Sequence, residues 1–594
     1  MKNLVHHTQD KRLLHMLQII KTASLKPLSS FRPTDVWGHF CRHTFPQINR
    51  HCEPQGWDGA PGGEAIPLLR NENEIYSTCH KKTFTALFTH RLVSMTYFPR
   101  VVANLWYRLV KRFLKEKYFV DEQCIFSNTW SLFIVAFTFL TLSCETPKKE
   151  NEIHLGSGAK VGEITSSSAI VHVRTTSLPG QDPAGLIPGT PGEVRIRYAN
   201  NPELSDATVG DWRMVNNNVD HSIQIKLQGL TPGTRYYYQV DYRVDASSEQ
   251  KTSATWSFPT APGAQERQPV RFQVTTCQDL YADSTYYYMA QQEPSFLVSA
   301  GDNVYYDEQC LARNVEEAYQ AYQKMFGLPY MKKYFEHIGG YFQKDDHDYR
   351  FNDADPTQDQ MAGDGGKPTK HSDSIAQEWL SHEEGIKVFK EVFPMGDLTY
   401  RSFRRGKGVQ IILLEGRDYR SPNQMEDGPG KSIWGNEQKE WLQKTLLESD
   451  ADWRIVVSPT PIIGPDRPSK NDNHANKNGF WTEGQWFLDW IQENDLQNNV
   501  VLVCGDRHWQ YHSVDSRNDR GIHEFSCGPT HDSHTQKVVP PSVSPYFDGV
   551  VQPYAASKGG FLGVEYRPDR SIAFTHYNTK GVQLYNTVLK TTTP

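Results

Sequence analysis

Five short segments concentrate side chains that can hold a cation or move a proton. They are Thr276-Cys277-Gln278-Asp279, Gly301-Asp302-Asn303-Val304-Tyr305-Tyr306-Asp307, the acid-rich stretch from Lys344 to Asp355, Leu414-Glu415-Gly416-Arg417-Asp418, and Gly505-Asp506-Arg507-His508. Carboxylates, a thiol, a phenol and imidazoles recur at the ends of apolar runs, several beside a glycine that lets the backbone turn sharply. That is how a site for more than one metal ion is written in sequence. Any one of these segments alone reads as ordinary surface acid. Five in chain order do not.

The elements that must position these groups follow from periodicity. From His154 the pattern is that of short antiparallel strands: Ala169, Val171 and Val173 alternate with polar residues, as do Val194, Ile196 and Tyr198, and Ile223, Ile225 and Leu227. After a Pro-Gly turn, Tyr236, Tyr238, Val240 and Tyr242 share one face, and Thr260-Ala261-Pro262-Gly263 reads as a linker. Beyond Pro269, continuous apolar runs at Val270 to Val274, Phe296 to Ala300, Val409 to Leu414, Arg454 to Val457 and Val500 to Cys504 alternate with helical periodicity at Val315 to His337, Gly435 to Glu448 and Gly484 to Glu493. Such strands are buried on both faces, and α/β folds of this kind bind ligands beyond the carboxyl ends of their strands. Four of the five segments lie at such ends; the acid-rich stretch from Lys344 to Asp355 follows none of the runs named.

The chain has 594 residues, 38% of them hydrophobic, with a mean hydropathy of −0.62, which excludes a polytopic membrane protein and a disordered chain. Residues 1–125 carry 18 basic and 10 acidic side chains, leaving 45 basic and 59 acidic of the chain's 63 and 69. A body that acidic is not expected to bind nucleic-acid duplexes. The nine cysteines contain no Cys-x-x-Cys pair, so neither a disulfide framework nor a cysteine-rich zinc site is expected. From Phe126 to Ser143 there is no charge, and the apolar centre from Leu132 to Leu142 suits the core of a secretory signal better than a span of ~20 residues. Leu142-Ser143-Cys144 resembles a loose bacterial lipobox, so 126–144 is read as a signal segment with a lipid anchor on Cys144, and 145–153 as a polar tether. An uncleaved membrane anchor is the alternative. Residues 1–125 are His-rich and without domain logic. They are read as an upstream start codon that is not the one used, or as a cytoplasmic extension. The expected location is the periplasm or outer surface of a bacterium.

The succession Cys277-Gln278-Asp279, Gly301-Asp302-x-x-Tyr305, Asp345-Asp346-His347-Asp348 with Asn352-Asp353-Ala354-Asp355, Glu415-x-Arg417 and Gly505-Asp506-x-His508 resembles the alkaline phosphatase D family of metallophosphoesterases, over about residues 154 to 590. The resemblance implies an α/β protein: an antiparallel β-sandwich, fibronectin type III-like, at 154–262, then a four-layer α/β/β/α catalytic domain at 263–594. Tyr236 would be the sandwich's tyrosine corner. Cys277, Asp302, Tyr305, Asp506 and His508 would hold Fe3+, and Asp302, Asp346 and Asn352 would hold Ca2+, with Asp302 bridging; Zn2+ or Mn2+ at the second site is the alternative. Two carboxylates, a thiolate and a phenolate favour ferric iron, and oxygen donors suit calcium. A hydroxide held between such cations would attack a small phosphoester, mono- or diester. His347 would be the general acid, or a scaffold bonded to Asp348. Arg417 would clamp phosphoryl oxygens, or pair with Asp418 or Glu415. Lys344 stands where relatives commonly carry Trp, and Glu415 where Asp is usual. The loop from Lys470 to Asn476 reads either as substrate-facing or as a solvated turn. A surface-binding lipoprotein with a vestigial phosphatase fold is the non-enzyme alternative, which the intact donor set disfavours.

Overall fold

The computed structural model describes residues 152–358, 379–543 and 547–591, all within one compact unit, Leu142–Pro594. The expectations for 1–125, for the signal segment with Cys144 and for most of the tether fall outside the described residues.

Two large sheets lie face to face. The nine-stranded sheet runs, edge to edge, Gln583–Lys590, Ser571–Asn578, Gly560–Tyr566, Val270–Thr275, Phe296–Ala300, Gly339–Gln343, Ala159–Gly162, Ser168–Arg174, Ser222–Gln228. The seven-stranded sheet runs Arg401–Arg405, Val409–Leu413, Trp453–Ser458, Val500–Cys504, Ile522–Cys527, Gln510–Asp515, Val550–Ala556. Their central strands are parallel. Alternate residues explain the continuous apolar runs. Phe296, Val298 and Ala300 enter the core between the sheets, while Leu297 packs outward with the helical residues Tyr319, Tyr322 and Phe335. In the second sheet Val409, Ile411 and Leu413 face inward, and Ile412 and Leu414 pack with Leu442 and Leu446 of helix Gly435–Glu448 and Phe487 of helix Trp481–Glu493. The result is helix, sheet, sheet, helix, the layering the resemblance implied. Phe525 and Phe574 stack across the two sheets at 4.2 Å and 7°, a pair worth roughly 0.5–1.5 kcal/mol beyond its buried area.

The break expected near 262 does not divide the strands as it divides the sequence. Three strands from the N-terminal segment, Ala159–Gly162, Ser168–Arg174 and Ser222–Gln228, complete the nine-stranded sheet, with Gly162 pairing in parallel with Gly340. A separate six-stranded sheet, built on Glu193–Ala199 and Arg235–Arg243, closes the sandwich, and Val194, Ile196, Tyr238 and Val240 join the same core as Val274 and Ile411. Tyr341 Oη donates to Ile164 O at 2.6 Å, and Gln224 Nε2 to Lys390 O at 2.8 Å. Within the sandwich Tyr236 Oη accepts the Thr231 N–H at 2.9 Å.

Some elements differ from their reading in sequence. The helix expected over Val315 to His337 is two, Val315–Phe326 and Pro329–Phe335, because Pro329 has no N–H to donate and starts the second helix at its first turn. The second begins with no side-chain cap, whereas Asn314 caps the first by accepting Glu317 N–H. The antiparallel strands from Val550 to Lys590 were not anticipated.

Candidate metal centre

Cys277, Asp302 and Asp506 follow the strands Val270–Thr275, Phe296–Ala300 and Val500–Cys504, and all three adopt positive φ, 47°, 54° and 59°. This left-handed backbone costs a non-glycine residue roughly 1–2 kcal/mol, and it turns the chain out of the sheet at the point where a donor is needed. For Asp302 and Asp506 the preceding Gly301 and Gly505 make room for it. A Cβ on Gly301 would come within 2.7 Å of Asp345 Cβ, and one on Gly505 within 2.2 Å of Ala300 O.

Two donor groups result. Cys277, Asp302 and His508 form one, and Asp302, Asp346 and His347 the other; within each group the ligand atoms lie within 4.8 Å of one another, and Asp302 belongs to both. The Cys277 thiol donates to Asp302 Oδ2 at 3.4 Å, and Tyr305 Oη lies 3.3 Å from both Asp302 Oδ2 and His508 Nε2. Cys277 and Asp302 are fully buried, and Tyr305 and Asp346 nearly so. Asp302 Oδ1 is buried without a hydrogen-bond partner, which is costly unless something else meets it; Asp346 Oδ1 makes no hydrogen bond either but faces the Arg417 guanidinium at 3.4 Å. Burial raises the Asp302 carboxyl well above the usual carboxylate range, and Asp346 adds to it. Burial and Asp302 raise the Cys277 thiol and the Tyr305 phenol. Burial and then His534 push His508 well below its ordinary value. Without a cation these anionic donors keep their protons, and a cation would displace them. A thiol, a phenol, a carboxylate and an imidazole together fit a hard trivalent metal, and the second group offers oxygen donors beside one imidazole.

Not every expected ligand joins these groups. Asp506 is engaged with the neighbouring Arg507, which also holds Asp466. Asn352 is tied to the site through its backbone N–H, which donates to Asp307 Oδ2 at 2.8 Å.

His347 does not brace itself on Asp348. Its Nδ1 lies 2.6 Å from Asp307 Oδ1, and its ring packs 4.2 Å from that of Tyr305. Asp348 instead accepts from Asn303 and from Asp345 N. Burial lowers the affinity of His347 for a proton, but Asp307 and Asp346 outweigh it and hold its pKa well above the ordinary imidazole value.

The Arg417 guanidinium pairs with neither Asp418 nor Glu415, although its backbone N–H donates to Glu415 Oε1 at 2.7 Å; Lys344 takes both carboxylates, at 2.5 and 2.7 Å. Arg417 is fully buried and is committed to Asp345 at 2.6 Å, with Asp346 and Asp472 at 3.4 and 3.6 Å. It supports the Asp345-Asp346 backbone turn and is not placed as an exposed phosphoryl clamp. Burial works to raise the Asp346 carboxyl, yet Arg417, His347 and Lys470 hold it below the usual range. The loop at Lys470 is neither a solvated turn nor exposed. Lys470 binds Asp353, and His474 is buried against Glu483 at 2.9 Å. Cys504 is a buried thiol, 3.2 Å from Tyr511 Oη. Cys310 and Cys527 are buried and free.

Sequence reasoning missed Asp307 as the partner of His347, and it missed His534. The His534 ring stacks on His508 at 5.5 Å and 14° and meets Tyr305 edge-on at 4.9 Å, while Gln536 N–H donates to His508 O at 2.7 Å. His534 sits in a 3-10 turn, Asp532–His534, with no strand before it to mark it as functional.

A family model for PhoD-like phosphatases matches residues 272–558, and one for the PhoD-like phosphatase N-terminal domain matches 142–262. The chain is 22% identical over 402 residues to alkaline phosphatase D of Bacillus subtilis (strain 168), a match covering 59% of this chain and 64% of that relative. Among solved structures, one titled "Structure of PhoD" superposes with a TM-score of 0.57 at 15% identity, covering 73% of this chain and 90% of the other. A purple acid phosphatase from yellow lupin (Lupinus luteus) seeds gives a TM-score of 0.48 at 11% identity, covering 73% and 74%.

Proposed function

The chain belongs to the PhoD-like phosphatase family, that of alkaline phosphatase D, and from that premise we propose that it hydrolyses phosphoesters, mono- or diesters, with two cations held at the shared Asp302. One observation carries this reading: a single buried carboxylate belongs to two donor groups at once, as a bridge between two metal ions requires. Cys277, Asp302, Tyr305 and His508 would hold Fe3+. Asp302 and Asp346, with the Asn352 carbonyl, would hold Ca2+, or Zn2+ or Mn2+ in its place. Asp506 would join the first group by exchanging Arg507 for the ion. When bound, the cations neutralise phosphoryl charge and make water a nucleophile at ordinary pH.

The protein's own groups do the rest. Asp307 fixes the proton of His347 on Nδ1, which leaves Nε2 to carry a second proton for the departing oxygen. Arg417 keeps Asp345 and Asp346 in place from behind. Metal analysis of purified protein together with aryl mono- and diester assays tests the proposal. Stoichiometric metal with turnover is expected; metal-loaded protein inert toward both ester classes would refute it. We also propose a secreted lipoprotein anchored through Cys144, on the uncharged run that precedes it and the polar segment that follows. Radiolabelled palmitate should enter the wild type and not Cys144→Ala, and equal labelling would exclude the anchor.

A further inference from the structure

The strands Ala159–Gly162, Ser168–Arg174 and Ser222–Gln228 turn Val161, Val171, Val173 and Ile225 toward the core, which leaves Lys160, His172, Arg174 and Gln224 on the opposite face. Register sets Lys160 against His172, and His172 against Gln224. A polar strand face ordinarily meets water. This one meets the helices Val315–Phe326 and His382–Val392, and His172 and Arg174 are only 4% and 5% exposed.

Polar groups buried in this way need partners inside the protein, and three of the four have them. Arg174 donates to Asp220 Oδ1 at 2.6 Å, to Asp220 O at 2.8 Å and to Ile187 O at 2.5 Å. His172 Nε2 lies 3.1 Å from Glu391 O, and Gln224 donates to Lys390 O while accepting Met395 N–H at 3.0 Å. The exception is Lys160. Among the described residues no carboxylate pairs with its ammonium, which faces the rings of Phe326 and Phe393 at 4.8 and 5.5 Å. Asp220 is already taken by Arg174 and by Gln323 Nε2 at 3.1 Å. Burial, helped by Arg174, therefore pulls Lys160 down to about 7, and Asp220 only partly opposes it.

Lys160 lines a cavity of about 30 Å³ together with Ser157, Arg174, Asp220 and Phe326. One water needs ~10–15 Å³ by the same measure, so the space suits two waters or one halide-sized ion and is too small for a five-atom oxyanion. His172, also in the lining, is held neutral by burial and by Lys160. The charges around the cavity are then those of Lys160, Arg174 and Asp220, and one positive charge is left over. Ser157 Oγ accepts from Arg174 at 3.3 Å, and its own hydrogen has no acceptor among the described residues.

We propose that this cavity binds one small monovalent anion, chloride or an ion of its size, held by the Lys160 ammonium with the Arg174 guanidinium and the Ser157 hydroxyl beside it. The ion completes the charge of a junction that the N-terminal strands share with the catalytic helices, so its binding stabilises the fold. The proposal is independent of the phosphoesterase reading.

Thermal midpoints of the purified protein at fixed ionic strength, with sodium chloride replacing sodium gluconate, test this. An ion bound only by the folded state should raise the wild-type midpoint by roughly 1–3 °C and then saturate. Sodium phosphate at the same ionic strength should give no such rise. Lys160→Met, which keeps an unbranched apolar stem against Phe326 and Phe393, should lose it. A wild-type midpoint indifferent to chloride, an equal rise in phosphate, or a rise unchanged in Lys160→Met overturns the site. Wild-type crystals grown in sodium bromide give a reading that needs no variant: bromine anomalous density beside Lys160 Nζ is expected, and a cavity without it overturns the site as well.

Discussion

Tyr305 and His347 lie ring to ring at 4.2 Å, yet they are assigned different tasks, and each assignment has a measurement. If Tyr305 is an anionic ligand of ferric iron, the purified protein should absorb visible light through charge transfer from the phenolate. Tyr305→Phe should shift or abolish the band. Colourless, active protein containing only zinc removes iron from the account. For His347 the question is the leaving group. General-acid help is worth ~10²–10⁴-fold when the departing oxygen is poor and little when it is already a stable anion. His347→Ala should thus cripple alkyl phosphoester hydrolysis while sparing much of the activity on p-nitrophenyl esters. Equal losses on both, with depleted metal, would make His347 a ligand or a brace. Asp307, which holds Nδ1, gives the companion variant: Asp307→Asn should reproduce part of the same selectivity.

The strands Gln510–Asp515, Ile522–Cys527 and Ser571–Asn578 carry a cluster of three histidines, His512, His523 and His576. His512 contacts His523 at 2.8 Å and Tyr585 Oη at 2.9 Å, and His576 reaches Ser526 O at 2.9 Å. Burial, helped by His523 and His576, lowers His512 to about 3, and burial lowers His576 to about 4. In the unfolded chain both return to the ordinary value near 6.5. Above that pH neither state is protonated and their contribution is fully present. As pH falls from about 6.5 toward 4 the unfolded chain binds protons that the folded one refuses, so stability drops, by at most about 1.4 kcal/mol per pH unit for each histidine. Thermal midpoints recorded from pH 7 to 4.5 should decline, and His576→Phe should flatten the slope. An unchanged slope would place the acid sensitivity elsewhere.

Across the molecule, the N-terminal strands and the catalytic strands share one sheet. Removing 152–262 would strip Ala159–Gly162, Ser168–Arg174 and Ser222–Gln228 from it, expose the edge of Gly339–Gln343, and open the core at Val161, Val171 and Val173. Each such side chain is worth roughly 1.5–3 kcal/mol when buried, and a bare central strand invites aggregation. A chain beginning at Glu145 should be soluble and folded, and 263–594 alone should not. Light scattering and circular dichroism of the two products decide this. A folded 263–594 would show the sandwich to be dispensable, and an insoluble 145–594 would bring the preceding residues into the fold.

The donor residues, their order and their place at strand ends were legible in the sequence, because a buried parallel strand needs a continuous apolar run and a turn out of it needs glycine and small polar residues. That much located the segments; the choice of Cys277, Asp302, Tyr305, Asp346 and His508 within them as ligands came from the family resemblance. The partners were not. His347 is held by Asp307, Arg417 by Asp345, and His508 is covered by His534. Gln309 meets His534 across 225 residues of chain. Periodicity reports which face of an element is buried; it carries no information about which distant loop is laid against that face. Hydrogen bonds and charge pairing among buried groups choose the partner only once the sheets have packed. For the same reason the linker at 260–263 was visible as composition, while the joining of the sandwich to the catalytic sheet through Gly162 and Gly340 was decided by the tertiary fold alone.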